Sequence, residues 1–212
     1  MEDIKSKVYV KTDERGRIIS CEGGYTAPVD LSGSTEIDEG VGDRFNLCQS
    51  NYFPGGLYTT DGIPRYKLQD GAAVERTAEE LNADLLPKAK AQRIAQSKAD
   101  LASYLEAHPI QWTDGEYYSI TAEKQQQLTS KIMAATMAQT MSADYHLTWN
   151  STGEVCREWT LQDLSALTFA IDARVTALVS YQQHQEVAMR NAATLEDLNA
   201  IVVDYDSVEV TA

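Results

Sequence analysis

The sequence predicts an α+β fold: a β-rich N-terminal domain, a long helical connector with the spacing of a coiled coil, and a small C-terminal helix–β-hairpin–helix domain. Three observations carry that reading. The first third alternates polar and apolar residues between clusters of turn formers, the signature of short strands. At Thr77 the pattern changes abruptly to helix formers that continue to about His108 and stop at Pro109. The last hundred or so residues then repeat a strand-turn, helix, hairpin, helix succession in which every junction carries a cap or turn signal. The expected divisions are 1–76 for the β-rich domain, 77–109 for the connector, 110–205 for the C-terminal domain and 206–212 for a flexible acidic tail.

Lys7-Val8-Tyr9-Val10-Lys11 alternates, Asp13-Glu14-Arg15-Gly16 supplies a turn, and Arg17-Ile18-Ile19-Ser20 returns. Between Gly23 and Pro64 the chain is rich in Gly, Asp, Ser and Tyr, so loops and short strands are expected, with Thr35-Glu36-Ile37-Asp38 the best strand. Tyr66-Lys67-Leu68 and Ala73-Val74-Glu75 flank Asp70-Gly71, a strong hairpin turn. Thr77 and Glu80 form a capping box, in which hydroxyl and carboxylate each bind the other residue's backbone N–H. Pro87 has no amide hydrogen and crowds the preceding turn, so the helix should kink there or begin anew. Beyond it Ile94, Leu101, Tyr104 and Leu105 make a narrow apolar stripe, suited to a seam between helices. Two readings of this stripe stay open: a connector that also oligomerises, and a surface helix lying on its own β domain.

In the C-terminal part, Trp112 to Ile120 reads as two short strands around Asp114-Gly115. Thr121 opens a helix over about Ala122–Met141 with Leu128, Ile132, Ala135 and Met141 on one face. Tyr145 to Trp159 reads as a hairpin over Asn150-Ser151-Thr152-Gly153, with Tyr145, Leu147 and Trp149 sharing a face. Thr160 caps a second helix, from Leu161 to about Asn191, carrying Leu164, Leu167, Ile171, Val175 and Leu178. Thr194 with Asp197 starts a short last helix.

With 43% hydrophobic and 24% charged residues over 212, the chain has the composition of a folded globular protein and is too apolar for wholesale disorder. Its 18 basic and 32 acidic residues give a formal net charge of -14. That field disfavours nucleic acid, whose recognition needs clustered Lys and Arg, and also anionic lipid. The three cysteines, Cys21, Cys48 and Cys156, show no metal spacing, which suits synthesis in a reducing cytoplasm. No apolar leader stands at the start, and no run approaches a membrane span.

The survey for chemistry yields no catalytic residue, cofactor site or metal site. His108, His146 and His184 each stand alone, and His184 and Glu186 point apart on a helix. His146 beside Asp144 reads as a strand histidine satisfied by a neighbour, and Cys156 as a half-buried inert thiol. Glu36, Asp38, Glu39 and Asp43 would hold a divalent cation only if a loop folded them together, and they lack EF-hand spacing. Tyr52 and Tyr58, near Pro54-Gly55-Gly56, are candidates for stacking on sugar rings or for a subunit contact. The plain alternative for both is ordinary sheet packing.

The run from Arg65 to Glu80, Arg-Tyr-Lys-Leu-Gln-Asp-Gly-Ala-Ala-Val-Glu-Arg-Thr-Ala-Glu-Glu, resembles a recurrent segment of tail-fibre and baseplate-associated proteins of phages and prophages. The C-terminal stretch resembles an uncharacterised domain common at the ends of such proteins. Its matching elements are Ile120-Thr121-Ala122-Glu123, Tyr145-His146-Leu147-Thr148-Trp149, Trp159-Thr160-Leu161-Gln162-Asp163-Leu164 and Ala192-Ala193-Thr194-Leu195-Glu196-Asp197-Leu198. Together the matches cover over half the chain, and that family offers no catalytic residues to carry over. The resemblance implies a virion structural part, made in the bacterial cytoplasm and assembled into a tail or tail-like particle. Other tail proteins are the expected partners, and the narrow seam on the connector adds self-association, with a trimer expected. A tail-fibre assembly chaperone and a carbohydrate-binding receptor module are the alternatives.

Overall fold

The structure, a computed structural model, describes residues 5–209. It is α+β as expected, and falls into two compact units, Met1–Ala89 and Lys90–Ala212. The boundary lies inside a helix, so residues 77–109 are divided between the two units.

In the first unit, β1 (Ser6–Thr12) is the middle strand of an antiparallel sheet, between β2 (Ile18–Gly23) and β3 (Thr35–Gly40). The β1–β2 turn forms because Asp13 accepts the backbone N–H groups of Arg15 and Arg17 at 2.9 and 3.0 Å. Two short helices, α1 (Asp43–Asn46) and α2 (Cys48–Asn51), cover the sheet. A second hairpin pairs β4 (Tyr66–Gln69) with β5 (Ala72–Glu75). Asp70 and Gly71 both have positive φ, 52° and 79°, as a two-residue hairpin loop requires. Val8, Val10, Ile18 and Cys21 from the sheet meet Cys48, Tyr52, Phe53 and Tyr66 in one buried cluster. Gly24, at φ 53°, sits where a Cβ would come within 2.5 Å of the Asn46 Cα and carbonyl oxygen, so only glycine fits.

Helix α3 (Ala78–Ala107) is one helix of 30 residues and does not begin anew at Pro87. The expected box opens it: Thr77 donates its N–H to Glu80 at 2.9 Å, and the Glu80 N–H reaches the Thr77 hydroxyl at 3.3 Å. None of its residues belongs to the first unit's apolar cluster. Charge holds it there instead. Lys67 donates to Glu80 at 2.7 Å, and Asp84 receives Arg15, Arg17 and Arg76 at 3.2, 2.7 and 2.5 Å. Arg76 is buried, and its remaining donors reach the carbonyls of Pro64 and Glu80 at 2.8 Å.

The second unit is built around α5 (Leu161–Asn191), whose buried Leu164, Leu167, Ile171 and Leu178 follow helical spacing. Against it lie α4 (Ala122–Met141), the later turns of α3, and two small hairpins, β6–β7 (Ile110–Gln111, Tyr117–Tyr118) and β8–β9 (Thr148–Trp149, Arg157–Glu158). Thr121, Thr160 and Thr194 each accept the expected backbone N–H, opening α4, α5 and α6 (Leu195–Ala200). Helix α5 is long enough, with a window of mean hydropathy 1.2, to cross a membrane by length and composition, against the expectation of no such run; its four buried aliphatic residues lie in this unit's core.

Two expectations are corrected here. The stripe of α3 is not an open intermolecular seam: Leu105 is buried, Leu101 and Tyr104 pack on the same core, and Ile94 is half-buried. A stripe that covers its own chain's core has little apolar area left for a partner. The acidic tail is held as far as Val208. Tyr205 is buried and donates to the Ser97 carbonyl at 2.7 Å, Asp206 accepts from Tyr104 at 3.0 Å, and the Val208 carbonyl accepts from Arg174 at 2.6 Å. Residues 210–212 lie outside the described range.

Replacing Gly24 by Ala should destabilise the protein by about 1–3 kcal/mol through crowding, read as a lower urea midpoint. Burial works against the Asp84 carboxylate, but hydrogen bonds and charge from Arg17 and Arg76 outweigh it and hold its pKa below the ordinary value. A depressed carboxylate contributes stability above its unfolded pKa of about 4, and loses it as pH falls through the lowered folded value. Asp84→Asn should therefore cost about 3 kcal/mol at neutral pH, since it strands the buried Arg76, and should flatten the acid limb of the stability curve. Urea melts from pH 7 down to pH 2 would show both.

Candidate functional site

Charged and aromatic side chains gather on the second unit, where β6–β7 meets β9. The β6–β7 turn places Asp114 at its tip, and that side chain accepts the Glu116 N–H at 3.0 Å and the Tyr118 hydroxyl at 2.8 Å. Arg157 on β9 completes the knot, pairing with Asp114 and donating to the Tyr118 oxygen at 2.7 Å. Burial opposes the Asp114 anion, yet these hydrogen bonds and the Arg157 charge keep its pKa low. Burial, with Asp114 as hydrogen-bond partner, raises that of Tyr118. The result is a carboxylate and a guanidinium held at fixed positions beside two indoles. Arg157 lies over the Trp159 ring, 5.0 Å from its centroid, and Tyr118 meets the same ring edge-on at 5.6 Å.

Two clefts flank Trp159. One, of about 340 Å³, is lined by Trp112, Asp114, Arg157, Glu158, Trp159 and Asp163 among others. The other, of about 420 Å³, lies between the end of α4 and the start of the β8–β9 hairpin, with Tyr145, His146 and Leu147 on its wall. The indole N–H of Trp159 is buried without a hydrogen-bond partner. His146 Nδ1 stands 3.6 Å from Glu158, and both side chains are at least 80% exposed, so the pair is weak. This arrangement offers aromatic surface, hydrogen-bond acceptors and one guanidinium: groups that hold a ligand.

The residues singled out by sequence do not converge. Tyr52 is buried and donates to Asp38 at 2.9 Å, which removes it from any surface; burial, then Asp38, pushes its pKa up to about 12. Tyr58 is 42% exposed, but its hydroxyl is tied to the Ile19 carbonyl at 2.6 Å. The acidic stretch spreads along β3: Glu36 pairs with Lys7 at 2.8 Å, Glu39 with Lys5 at 3.1 Å, and Asp38 with Tyr52. Among the described residues no group of three His, Cys, Asp or Glu side chains is placed to hold a metal. Cys156 is exposed, not half-buried. Cys21 and Cys48, distant in sequence, are buried neighbours, with the Cys21 thiol donating to the Cys48 carbonyl at 3.6 Å and raised by burial to about 12. His108 stacks on Tyr104 at 3.9 Å, and His184 is exposed on α5.

Sequence reading passed over Trp112 and Trp159 as strand residues. The available signal was two tryptophans, each one or two residues from a charged turn or strand end. Comparison with protein-family profiles, with curated proteins and with solved structures found no match for this chain.

Proposed function

We propose that this chain is a structural virion protein of a phage tail, or of a phage-tail-like bacteriocin, serving as an adaptor at the baseplate or the tail-fibre attachment point. The observation that carries this reading is the ordered succession of segments resembling tail-associated proteins, from Arg65–Glu80 through the three threonine-capped junctions at Thr121, Thr160 and Thr194. Those segments are the hairpins, caps and core positions of both units, so what resembles the family is the framework. A chain with two separate cores suits a part that docks at two places. On this reading it is made in the bacterial cytoplasm and remains in the finished particle.

The proposal includes self-association, with a trimer favoured, through a different surface from the α3 stripe. On α4, Met133, Met137 and Met141 recur every four residues and are 60%, 57% and 73% exposed. From Ile132 to Ala143 no residue is charged. In a chain of net charge -14, that uncharged stretch brings no like charges together between copies, and methionine packs readily on irregular apolar surfaces. Three copies carry 3 × (-14) = -42 charges, so salt should favour assembly.

Mass spectrometry of purified particles should find the chain in fixed proportion to other tail proteins; its presence in lysate but absence from particles would replace this reading with an assembly chaperone. Light scattering should show an oligomer that strengthens with salt and is lost in Met137→Glu. Monomer alone at high micromolar concentration would remove the self-association.

A further inference from the structure

We propose that the cleft beside Trp112 and Trp159 is a binding site for a neutral saccharide. Sugar rings present C–H faces that pack on aromatic rings, and hydroxyl pairs that need acceptors and a donor at fixed spacing. The cleft supplies each. Trp112 packs on the second unit's core and lines the cleft with its remaining surface, which makes it a held stacking platform. Trp159 is covered by Arg157, so that wall offers the guanidinium.

The polar groups are divided between structure and recognition. Arg157 uses Nη2 for Asp114 and Tyr118, and its Nη1 has no protein partner among the described residues. Asp163 uses one oxygen, Oδ2, for the Thr160 hydroxyl at 2.7 Å. Glu158 is 82% exposed, with the His146 imidazole 3.6 Å away. Free acceptors from Glu158 and Asp163 and a free donor from Arg157 thus stand around two indoles. Because the knot through Asp114 fixes the guanidinium before any ligand arrives, little ordering is left to oppose binding.

Charge decides among sugars. Three carboxylates against one guanidinium repel sialic and uronic acids and phosphorylated sugars, and the net charge of -14 adds to that. A volume of about 340 Å³ in an open cleft suits one or two rings. This inference stands apart from the virion proposal: the site is read from cleft geometry alone and would hold for a protein of any origin.

The test is a two-dimensional NMR titration of the full chain, following the three indole N–H signals, assigned by substitution. The probes are neutral disaccharides of glucose, galactose and N-acetylglucosamine, with sialyllactose and choline as separate arms. At least one neutral disaccharide should shift the Trp112 and Trp159 signals saturably in the millimolar range and leave Trp149 unmoved. Glu158→Ala, at an exposed position that leaves the fold intact, should weaken binding by about tenfold. Trp112→Ala should abolish it, and Trp112→Tyr should retain part of it. No shift with any neutral disaccharide would overturn the proposal, as would tighter binding of sialyllactose or choline, or binding unaffected by Glu158→Ala and Trp112→Ala.

Discussion

Among the described residues, none of the four sheets can bury a core by itself. The largest has three strands and the others two, and hairpins of that size are marginal in water unless another element covers them. Every core in this chain therefore has to be closed by helices, and the two units solve the problem differently. In the first, α1 and α2 bring Cys48 onto the sheet and Tyr52 and Phe53 follow. In the second, the hairpins pack with α5, β6–β7 giving Ile110, Trp112 and Tyr118 and β8–β9 giving Trp149.

Helix α3 shows the consequence most plainly, because its two ends are held by different forces. Its first turns offer Glu80 and Asp84 to Lys67, Arg17 and Arg76. Its later turns offer Leu101, Tyr104 and Leu105 to an apolar core, with Ser97 buried between Gln182 and Tyr205. Attachment by charge is directional and weakens when carboxylates are protonated; attachment by apolar burial does not depend on pH. The buried Arg76–Asp84 pair also specifies register: with Arg15 and Arg17 converging on one carboxylate, a shift of the helix by one residue would leave a buried guanidinium unmatched.

What the sequence made legible was local. Thr77, Thr121, Thr160 and Thr194 announce helix starts because a cap involves residues three apart, and Asp70-Gly71 announces a hairpin because the turn needs two positive φ values. What stayed hidden depends on long separations. The Arg17–Asp84 contact spans 67 positions and the Tyr205–Ser97 hydrogen bond 108, so neither pattern shows in a window of sequence. The periodicity of the α3 stripe shows that it is apolar, but whether its partner is another copy or its own chain is not written there. For the same reason the sequence does not decide between surface contact and sheet packing for Tyr52, whose partner Asp38 lies 14 positions away. The cleft at Trp112 and Trp159 depends on two hairpins meeting, with Asp114 and Arg157 43 positions apart.

The division of α3 into a charge-held and an apolar-held end is most directly tested by amide hydrogen exchange along that helix as pH is lowered. At neutral pH both ends should be protected. As pH falls below the ordinary carboxylate range and through the lowered Asp84 value, amides 81–88 should lose protection while amides 98–107 keep theirs, after correction for the intrinsic pH dependence of exchange. Uniform loss along the helix, or earlier loss at the Leu101–Leu105 end, would contradict the account.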